Sequence, residues 1–265
     1  MNSSFPHAPN LGPNWVGFRT LYEKEVRRFL NVYVQTTLAP CVTTLLFLAV
    51  FVLALGHENK IVDGVSLAQF LAPGLIIMSM AQNAFANNSS SIITQKMQGN
   101  IVDLLMPPLS AGEIAAAYAL VGITRGLVVG TASGLAVWAF VPTALPHPFY
   151  ALFHGIAGSL MLGSIGLLAG LWAEKFDQLA TVTNFIVTPF AFLSGTFYSI
   201  HQLPEWLQKL AHFNPFFYMI DGFRYGFIGH ADGALWPGLL VMFGANLALW
   251  LISWRLLANG YKVKS

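Results

Sequence analysis

The sequence predicts an all-α integral membrane protein with six transmembrane helices. Of its 265 residues, 55% are hydrophobic and only 9% are charged, against roughly 25% charged in an average soluble domain. About 20 apolar residues in a helix cross a bilayer core of about 30 Å, and six segments meet or nearly meet that length. These predicted spans are 33–55, 67–93, 114–140, 150–173, 179–198 and 235–257. Away from the span ends, Arg125 is the only Lys, Arg, Asp or Glu inside them, so this much apolar surface requires lipid.

We expect a single membrane domain over residues 1–265. It comprises a cytoplasmic tail with an interfacial helix (1–32), a six-span core (33–257) and a second cytoplasmic tail (258–265). The first segment shows no short apolar stretch followed by a small-residue cleavage site, so no cleaved signal peptide is expected. The net charge is only +2, with no basic stripe for phosphates, which argues against nucleic acid as a partner.

The segment before the first span predicts an amphipathic helix along the cytoplasmic membrane surface. One stripe at helical spacing is apolar and another is charged. The apolar stripe is Trp15, Phe18, Tyr22, Val26 and Phe29, and the charged stripe is Arg19, Glu23 and Arg27. The alternative is a solvated helix that packs on a soluble partner.

Basic residues in the connections predict that both termini are cytoplasmic, because cytoplasmic loops carry an excess of Lys and Arg. This orientation places nine basic residues inside and three outside. The inner set is Arg19, Lys24, Arg27, Arg28, Lys96, Lys175, Arg255, Lys262 and Lys264, and the outer set is Lys60, Lys209 and Arg224.

Small residues predict that the third and fourth spans pack closely as an antiparallel pair, because bare stripes let helix backbones approach. The third span carries Gly122, Gly126, Gly130 and Gly134, and the fourth carries Ser159, Gly163, Gly166 and Gly170. A flexible gate made by glycine is the alternative interpretation.

A defined elbow connects the second and third spans. Asn100 is placed to cap a short helix, which Pro107 and Pro108 then end. Ser110 and Glu113 form a capping-box pattern that restarts the helix of the third span. The chain therefore turns abruptly at this point.

The elbow carries an apolar face that is predicted to lie on the cytoplasmic side. Its apolar side chains are Ile101, Leu104 and Leu105. Exposed apolar patches commonly mark a contact with a protein or a membrane. A partner protein is one interpretation, and a helix that rests on lipid headgroups is the other.

Between the fifth and sixth spans, the sequence predicts an outer re-entrant hairpin. An interfacial helix is indicated by Leu203, Trp206, Leu207, Leu210 and Phe213. Asn214 and Pro215 break it, and the aromatic stretch 216–228 is too short to cross the bilayer. Asp221 and Arg224 lie one turn apart, a spacing that allows a local ion pair. A structural role for that pair is favoured over contact with a substrate.

Arg125 is expected near the middle of the bilayer, 11 residues into its span, or about 17 Å at 1.5 Å per residue. An unpaired Arg there costs roughly 2.5–3.5 kcal/mol, so polar partners are expected. By composition the candidates are Asn83, Asn87 and Asn184. A structural hydrogen-bonding role is one hypothesis, and attraction of an anionic lipid or sugar phosphate is the other.

No catalytic or metal-binding pattern stands out. Six of the seven histidines fall on or near the predicted outer side, but their spacings match no metal-ligand pattern. They are His57, His147, His154, His201, His212 and His230. The sequence also lacks a GxxxxGK[ST] phosphate loop, so a separate subunit must supply any ATP hydrolysis.

Two blocks of this sequence resemble the type-two ABC exporter permeases, and the resemblance extends over nearly the full chain. One block is Gly99-Asn-Ile-Val-Asp-Leu-Leu-Met-Pro-Pro-Leu-Ser110, and the other runs from Phe192-Leu-Ser-Gly-Thr-Phe-Tyr198 through Asn214-Pro to Arg224. The resemblance implies that the first helix is a connecting helix and that the elbow holds a coupling helix that contacts the ATPase. The implied contact residues are Gly99, Asn100, Ile101, Asp103, Leu104 and Leu105.

The chain departs from the family pattern at three positions of the elbow. Asn100 and Asp103 stand where family members often carry Thr and Glu, and Pro107 stands where Thr is common. The docking chemistry should survive these changes, although the individual contacts should differ.

The resemblance implies a permease subunit of an ATP-binding-cassette exporter in the bacterial inner membrane. It would move an amphipathic, lipid-linked or drug-like substrate out of the cytoplasm by alternating access. The implied partners are a second copy of the chain, two ATPase subunits that bind ATP and Mg²⁺, and membrane lipids. The chain itself would hold no cofactor and perform no catalysis. Between the two copies, the second and fifth spans would face each other across the path.

Two other classes remain open from the residues alone. One is an integral membrane enzyme that modifies lipid with the outer histidines and Asp221. The other is an ion-coupled transporter or channel, although such proteins usually carry acidic residues inside their spans.

Overall fold

The computed structural model describes residues 12–55, 61–62 and 64–262, without the side chains of Leu55 and Leu105. Predictions that concern residues 1–11, His57, Lys60 and Lys264 therefore lie outside the described part of the chain. The side chain of Leu105, one of the predicted coupling residues, is outside it too.

The described chain is built almost entirely from helices. They are α1 (Trp15–Leu30), α2 (Ala39–Leu55), α3 (Leu67–Met97), α4 (Val102–Leu105), α5 (Ala111–Phe140), α6 (Pro148–Trp172), α7 (Phe176–Val182), α8 (Thr188–Leu193), α9 (Glu205–His212), α10 (Pro215–Ile228) and α11 (Leu235–Ala258). π-helical turns at Val34–Leu38 and Thr183–Val187 lead into α2 and α8, and a 3-10 turn spans Ile200–Gln202. Strands β1 (Ile61–Val62) and β2 (Val65–Ser66) pair antiparallel.

Four helical segments of the described chain are long and apolar enough to cross a membrane. They are Val34–Ala54, Ala111–Phe140, Pro148–Trp172 and Leu235–Ala258. These correspond to the predicted first, third, fourth and sixth spans.

The predicted second and fifth spans are helical but differ from a plain apolar span. α3 is 31 residues long, and its second half carries several Asn, Gln and Ser side chains. The fifth segment consists of α7, a π-helical turn and α8, and it ends at Leu193, earlier than the predicted 198. Gly195 has φ +80°, a left-handed backbone conformation that favours glycine and diverts the chain from a helix.

α3 lies at the centre of the bundle and packs against both α5 and α6. The predicted pairing of small residues is correct at Gly122, where a Cβ would lie 3.3 Å from the Cα of Gly163. It is wrong at Gly166 and Gly170, whose bare faces meet α3 instead, at Phe85 and Ser89. The reason is that α6 packs against α3, α5, α10 and α11, so its small residues do not all face α5.

α1 buries a stripe of side chains against the bundle, apart from most of the apolar stripe that is predicted to lie on the membrane surface. Leu21, Glu25 and Phe29 are buried, whereas the side chain of Trp15 is 70% exposed. Only Phe29 belongs to the predicted apolar stripe. Glu25 lies on the buried face, where it pairs with Arg28. Contact of the apolar stripe with the membrane surface stays a prediction.

Two lysines hold the end of α6. Lys96 donates to the carbonyl oxygens of Leu171 and, at 3.1 Å, Ala173. Lys262 donates to Trp172 O at 3.2 Å and pairs with the Glu174 carboxylate at 2.7 Å. This hydrogen bond raises the pKa of Lys262 and lowers the pKa of Glu174. These contacts of Lys262 attach the C-terminal end of the described chain to the connection between α6 and α7.

Impermeant thiol labelling tests the orientation of the chain in the membrane. Lys209 and Lys175 are both exposed, and Cys41 is the only cysteine, so single cysteines can be placed in a Cys41→Ala background. With both termini cytoplasmic, Lys209→Cys should react in intact cells, and Lys175→Cys should react only after permeabilisation. The reverse pattern would invert the topology.

Candidate functional site

The elbow between α3 and α5 turns part of its apolar surface inward. Gly99 has φ +73° and lets the chain leave α3 in a tight turn. On α4 and its first flanking residue, Ile101 is 7% exposed and Leu104 is 2% exposed. Both belong to a buried cluster that also contains Leu21 of α1 and Ile114 of α5. They are therefore packed inside this chain.

The outward face of the elbow consists of other residues. Val102 is 54% exposed and Met106 is 75% exposed, and Asp103 is exposed between them. The expectation that Ile101 and Leu104 form an exposed apolar face is wrong, because both side chains share one face of the short helix and pack in the buried cluster with residues of α1 and α5. That face packs onto the bundle, so the neighbouring positions point away from it.

Capping at the elbow follows the prediction in one place and departs from it in another. The capping box of Ser110 and Glu113 is confirmed, with Ser110 N donating to Glu113 Oε2 at 2.7 Å. Asn100 does not cap α4, whose N-cap is Ile101 without a side-chain hydrogen bond. The carbonyl oxygen of Asn100 instead accepts from Asp103 N at 3.0 Å.

The start of α1 is joined to the elbow. Asn14 caps α1 by accepting from Gly17 N at 2.9 Å. Its own backbone N–H donates to Glu113 Oε1 at 2.6 Å, and its side-chain amide donates to Pro108 O at 3.3 Å. The elbow and α1 thus form one connected surface.

A polar core surrounds Arg125, which is 8% exposed. Its Nη1 donates to Asn87 Oδ1 at 3.2 Å, and its Nη2 donates to Asn83 Oδ1 at 3.1 Å. Asn184 lies exposed in the π-helical turn before α8 and is not one of these partners. The structure therefore brings three of the four predicted intramembrane polar residues together.

α1 contributes to the same core, which the sequence reasoning missed. Arg28 Nη2 donates to the backbone oxygen of Asn87 at 2.9 Å and to its Oδ1 at 3.0 Å. Arg28 Nε pairs with Glu25 at 2.9 Å, and that carboxylate is 1% exposed. Glu25 could have been found in the sequence, because it falls on the face of α1 that also carries Leu21 and Phe29.

Asn88 ties the core to two further helices. Its Nδ2 donates to the backbone oxygens of Tyr118 on α5 and Gly163 on α6, both at 2.9 Å. Its Oδ1 accepts from Asn87 Nδ2 at 3.1 Å. The Tyr118 hydroxyl lies 3.3 Å from Ser91 Oγ and accepts from Gln95 at 3.2 Å. These bonds satisfy polar groups that would be costly inside a membrane.

A groove of about 290 Å³ lies between the first helical segment and α3. Its lining is mixed, with amides and hydroxyls beside apolar side chains. The polar lining is Gln35, Thr43, Thr44, Ser79, Gln82 and Asn83, and the rest is Ala39, Pro40, Phe47, Leu75 and Met78. Asn83 belongs to both the groove and the polar core, so the two features are continuous.

Asn214 both caps the N-terminus of α10 and links that helix to the end of α8. Asn214 caps α10 by accepting from Phe216 N at 3.0 Å, and it donates to Ser194 Oγ at 2.8 Å. Pro215 is the first residue of α10, a position where the missing N–H costs nothing. This arrangement ties α10 to the end of α8.

Asp221 and Arg224, both on α10, are buried and hold separate loops. The Asp221 carboxylate accepts from the backbone N–H groups of Asp232 at 2.8 Å and Gly233 at 2.9 Å. Arg224 donates to Gly195 O and lies with its guanidinium carbon 4.0 Å from the ring centre of Phe70. Both side chains therefore brace loops at one end of the bundle.

Within the described ranges, no three His, Cys, Asp or Glu side chains lie close enough to share a metal ion. His154 illustrates how the histidines are used. Its Nδ1 lies 2.9 Å from Tyr150 O, and its ring fills the space beside Gly222. It packs α6 against α10.

Comparison with known proteins identifies the family. Residues 16–228 match the family model of the ABC-2 type transporters. The chain belongs to this family. Over 253 residues it is 38% identical to the inner membrane transport permease YadH of Escherichia coli K12, covering 95% of this chain and 98% of that protein.

More distant relatives agree with this assignment. The permease is 29% identical to nodulation protein J of Rhizobium leguminosarum bv. viciae over 186 residues, covering 69% of this chain and 71% of that protein. Its nodulation protein J relative in Sinorhizobium fredii is 28% identical over 182 residues. The permease is thus a membrane transport protein, and ABC-2 permeases work with ATP-binding subunits.

Proposed function

We propose that the chain is a single six-span permease domain of an ATP-binding-cassette exporter, and that two copies enclose one path. α3 and the segment from α7 to α8 complete the six spans beside the four apolar helices. Two ATPase subunits, which bind ATP and Mg²⁺, drive the export of an amphipathic, lipid-linked or drug-like substrate. Both termini lie in the cytoplasm of a bacterial cell, and the chain lies in its inner membrane.

The groove between α2 and α3 is the observation that carries this proposal. Gln35 and Thr43 are exposed on its wall, and Gln82 is half-buried. Polar side chains in a spanning segment face the bundle interior, a partner or a water-filled cavity. In a lone chain this surface would meet lipid, so a second copy and an aqueous path account for it.

A second crevice makes the contrast clear. It measures about 660 Å³ and lies between α5 and α6, with a lining that is mostly apolar, including Leu135, Trp138 and Leu152. Lipid chains can meet such a surface without cost. The polar groove, by contrast, suits a substrate that has both hydrogen-bonding and apolar parts.

The exposed Asn184 supports the same arrangement. It is a polar side chain on the predicted fifth span, and it lies on the surface of the single chain. A path between facing second and fifth spans would hydrate both this amide and the groove.

Two rival functions have less support. A lipid-modifying enzyme would need a reactive arrangement of Asp221 or the histidines, yet Asp221 is occupied by two main-chain amides. An ion-coupled transporter would need acidic groups inside the spans. The buried acid of the polar core, Glu25, comes from α1 and is paired with Arg28.

Removal of the polar groups from the groove tests the proposal. The double variant Thr43→Val and Gln82→Leu should fold and bind its ATPase, but retain roughly thirtyfold less copurified amphipathic substrate, since each of the two lost hydrogen bonds is worth about 1 kcal/mol. Mass spectrometry of extracts from the purified complex measures this. Thr131→Val, in the apolar crevice, is the matched control and should change nothing. Equal retention by both variants would remove the groove from the path.

The partnership is tested directly by affinity purification of the tagged chain from cross-linked native membranes. An ATP-binding-cassette subunit should copurify, and the eluate should hydrolyse ATP in the presence of Mg²⁺. Transport activity of the chain reconstituted alone would contradict the exporter proposal.

A further inference from the structure

Asn87 lies where two cationic side chains from different helices converge. Its Oδ1 accepts from Arg28 of α1 at 3.0 Å and from Arg125 of α5 at 3.2 Å. An amide oxygen has two acceptor positions, and each is used by a guanidinium. If one arginine moves and displaces Asn87 Oδ1, the hydrogen bond of the other arginine to the same oxygen changes too.

The amide pair Asn87 and Asn88 connects four helices at one level of the bundle. Asn88 donates to backbone oxygens on α5 and α6, both at 2.9 Å. Asn87 receives Arg28 of α1, and both amides belong to α3. The pair is fully buried, with 0% exposure of each side chain.

The charges of this core are not balanced within the cluster. Glu25 is the one carboxylate that hydrogen-bonds Arg28, and the hydrogen bonds of Arg125 go to neutral amides. Buried charges of this kind contribute little to stability compared with apolar packing, and their best-attested use is to fix a register or a switch. This observation favours a role beyond simple support of the fold.

These hydrogen bonds form a series that links two surfaces with a proposed function, the elbow and the groove. At one end, α1 is bonded to the elbow through Asn14 and Glu113. At the other end, Arg125 donates to Asn83, which lines the groove. A continuous series of hydrogen bonds and helix contacts thus connects the elbow to the wall of the groove.

We propose that Asn87 is a positioning residue that conveys movement of α1 to Arg125 and Asn83. When the ATPase displaces the elbow, α1 moves and Arg28 shifts against Asn87 Oδ1. The hydrogen bond from Arg125 to Asn83 then changes, Asn83 moves, and the groove changes shape. This inference rests on the proposed function, because it assigns a route to the same coupling.

The test measures the groove and not only the fold. A Gln82→Cys reporter is placed in a Cys41→Ala background, and its labelling rate by a maleimide is compared with and without ATP and vanadate in the complex with the ATPase. In the otherwise unchanged chain the ratio of rates should differ from one by about fivefold or more, a typical coupling. Asn87→Ala should bring this ratio to about one while the ATPase still copurifies.

Asn246→Ala provides the matched control. Asn246 is another buried amide, and its Nδ2 donates to Ala157 O of α6 at 3.1 Å without contact to an arginine. Its loss should leave the labelling ratio unchanged. A reduced ratio in this control would mean that any lost amide has the same effect, which would overturn the specific role of Asn87.

A second variant covers failure of Asn87→Ala to fold. The double variant Glu25→Gln and Arg28→Gln removes both members of the ion pair and leaves no unpaired buried charge from it, so it should fold and should also bring the ratio to about one. If the unchanged chain shows no nucleotide-dependent labelling, the proposed function itself fails. If the unchanged chain shows nucleotide-dependent labelling, and the double variant and any folded Asn87→Ala variant keep the ratio, this inference alone is overturned.

Discussion

Replacement of Leu104 by Asp is expected to abolish most of the folded protein. Leu104 is 2% exposed and lies in a cluster with Leu21 and Ile114. An unpaired charge at such a site costs several kcal/mol, a large part of the roughly 5–15 kcal/mol that holds a domain folded. Fluorescence-detected size exclusion in detergent should show a collapse of the monodisperse peak.

The matched variant is Met106→Asp on the same elbow. Met106 is 75% exposed, so its replacement should leave the folded yield unchanged. If the outward face contacts the ATPase, the new charge enters the docking cleft, and the variant should lose copurification of the ATPase. Normal docking and normal ATP-driven export by Met106→Asp would remove this face from the contact. Normal folding of Leu104→Asp would refute the buried position of Leu104.

Gly166→Ala is expected to destabilise the bundle by about 2–3 kcal/mol or more through overpacking. The new Cβ would overlap the backbone oxygen of Phe85 and lie 2.9 Å from its Cα. A backbone cannot rotate away as a side chain can, so α3 and α6 must separate. A lower melting temperature in a thermal-shift assay measures this.

Gly134→Ala, on the predicted third span, is the control variant and should not destabilise the bundle. A Cβ there meets nothing within 4 Å, and alanine is favoured over glycine in a helix interior by about 0.5–1 kcal/mol. The melting temperature should stay the same or rise slightly. A comparable loss of stability in both variants would contradict the assigned helix packing.

The sequence located most of the helices because their signals are local. Runs of apolar residues predicted the four apolar spans, and the capping box at Ser110 and Glu113 predicted where α5 begins. A capping box depends on residues three positions apart, so no tertiary information is needed. The fifth segment was less well bounded, since its end depends on the turn at Gly195.

The faces of the helices were harder to assign. The apolar face of the elbow was recognised, but Ile101 and Leu104 were expected to be exposed and are buried. Periodicity shows that Ile101 and Leu104 share a face, and it does not show what covers that face. The burial of Glu25 was not predicted, since it depends on the pairing of its carboxylate with Arg28, which lies against Asn87 of α3.

The amino-acid sequence by itself determined that this chain is helical, that it needs lipid, and that Arg125 needs polar partners. These conclusions follow from composition and from the cost of polar groups in a membrane. Only the tertiary structure decided that those partners are Asn83 and Asn87, with Asn184 elsewhere, and that Arg28 converges on the same amide. The physical reason is that such partners lie about 40 or more positions apart in sequence and meet only when packed helices bring them within hydrogen-bond distance.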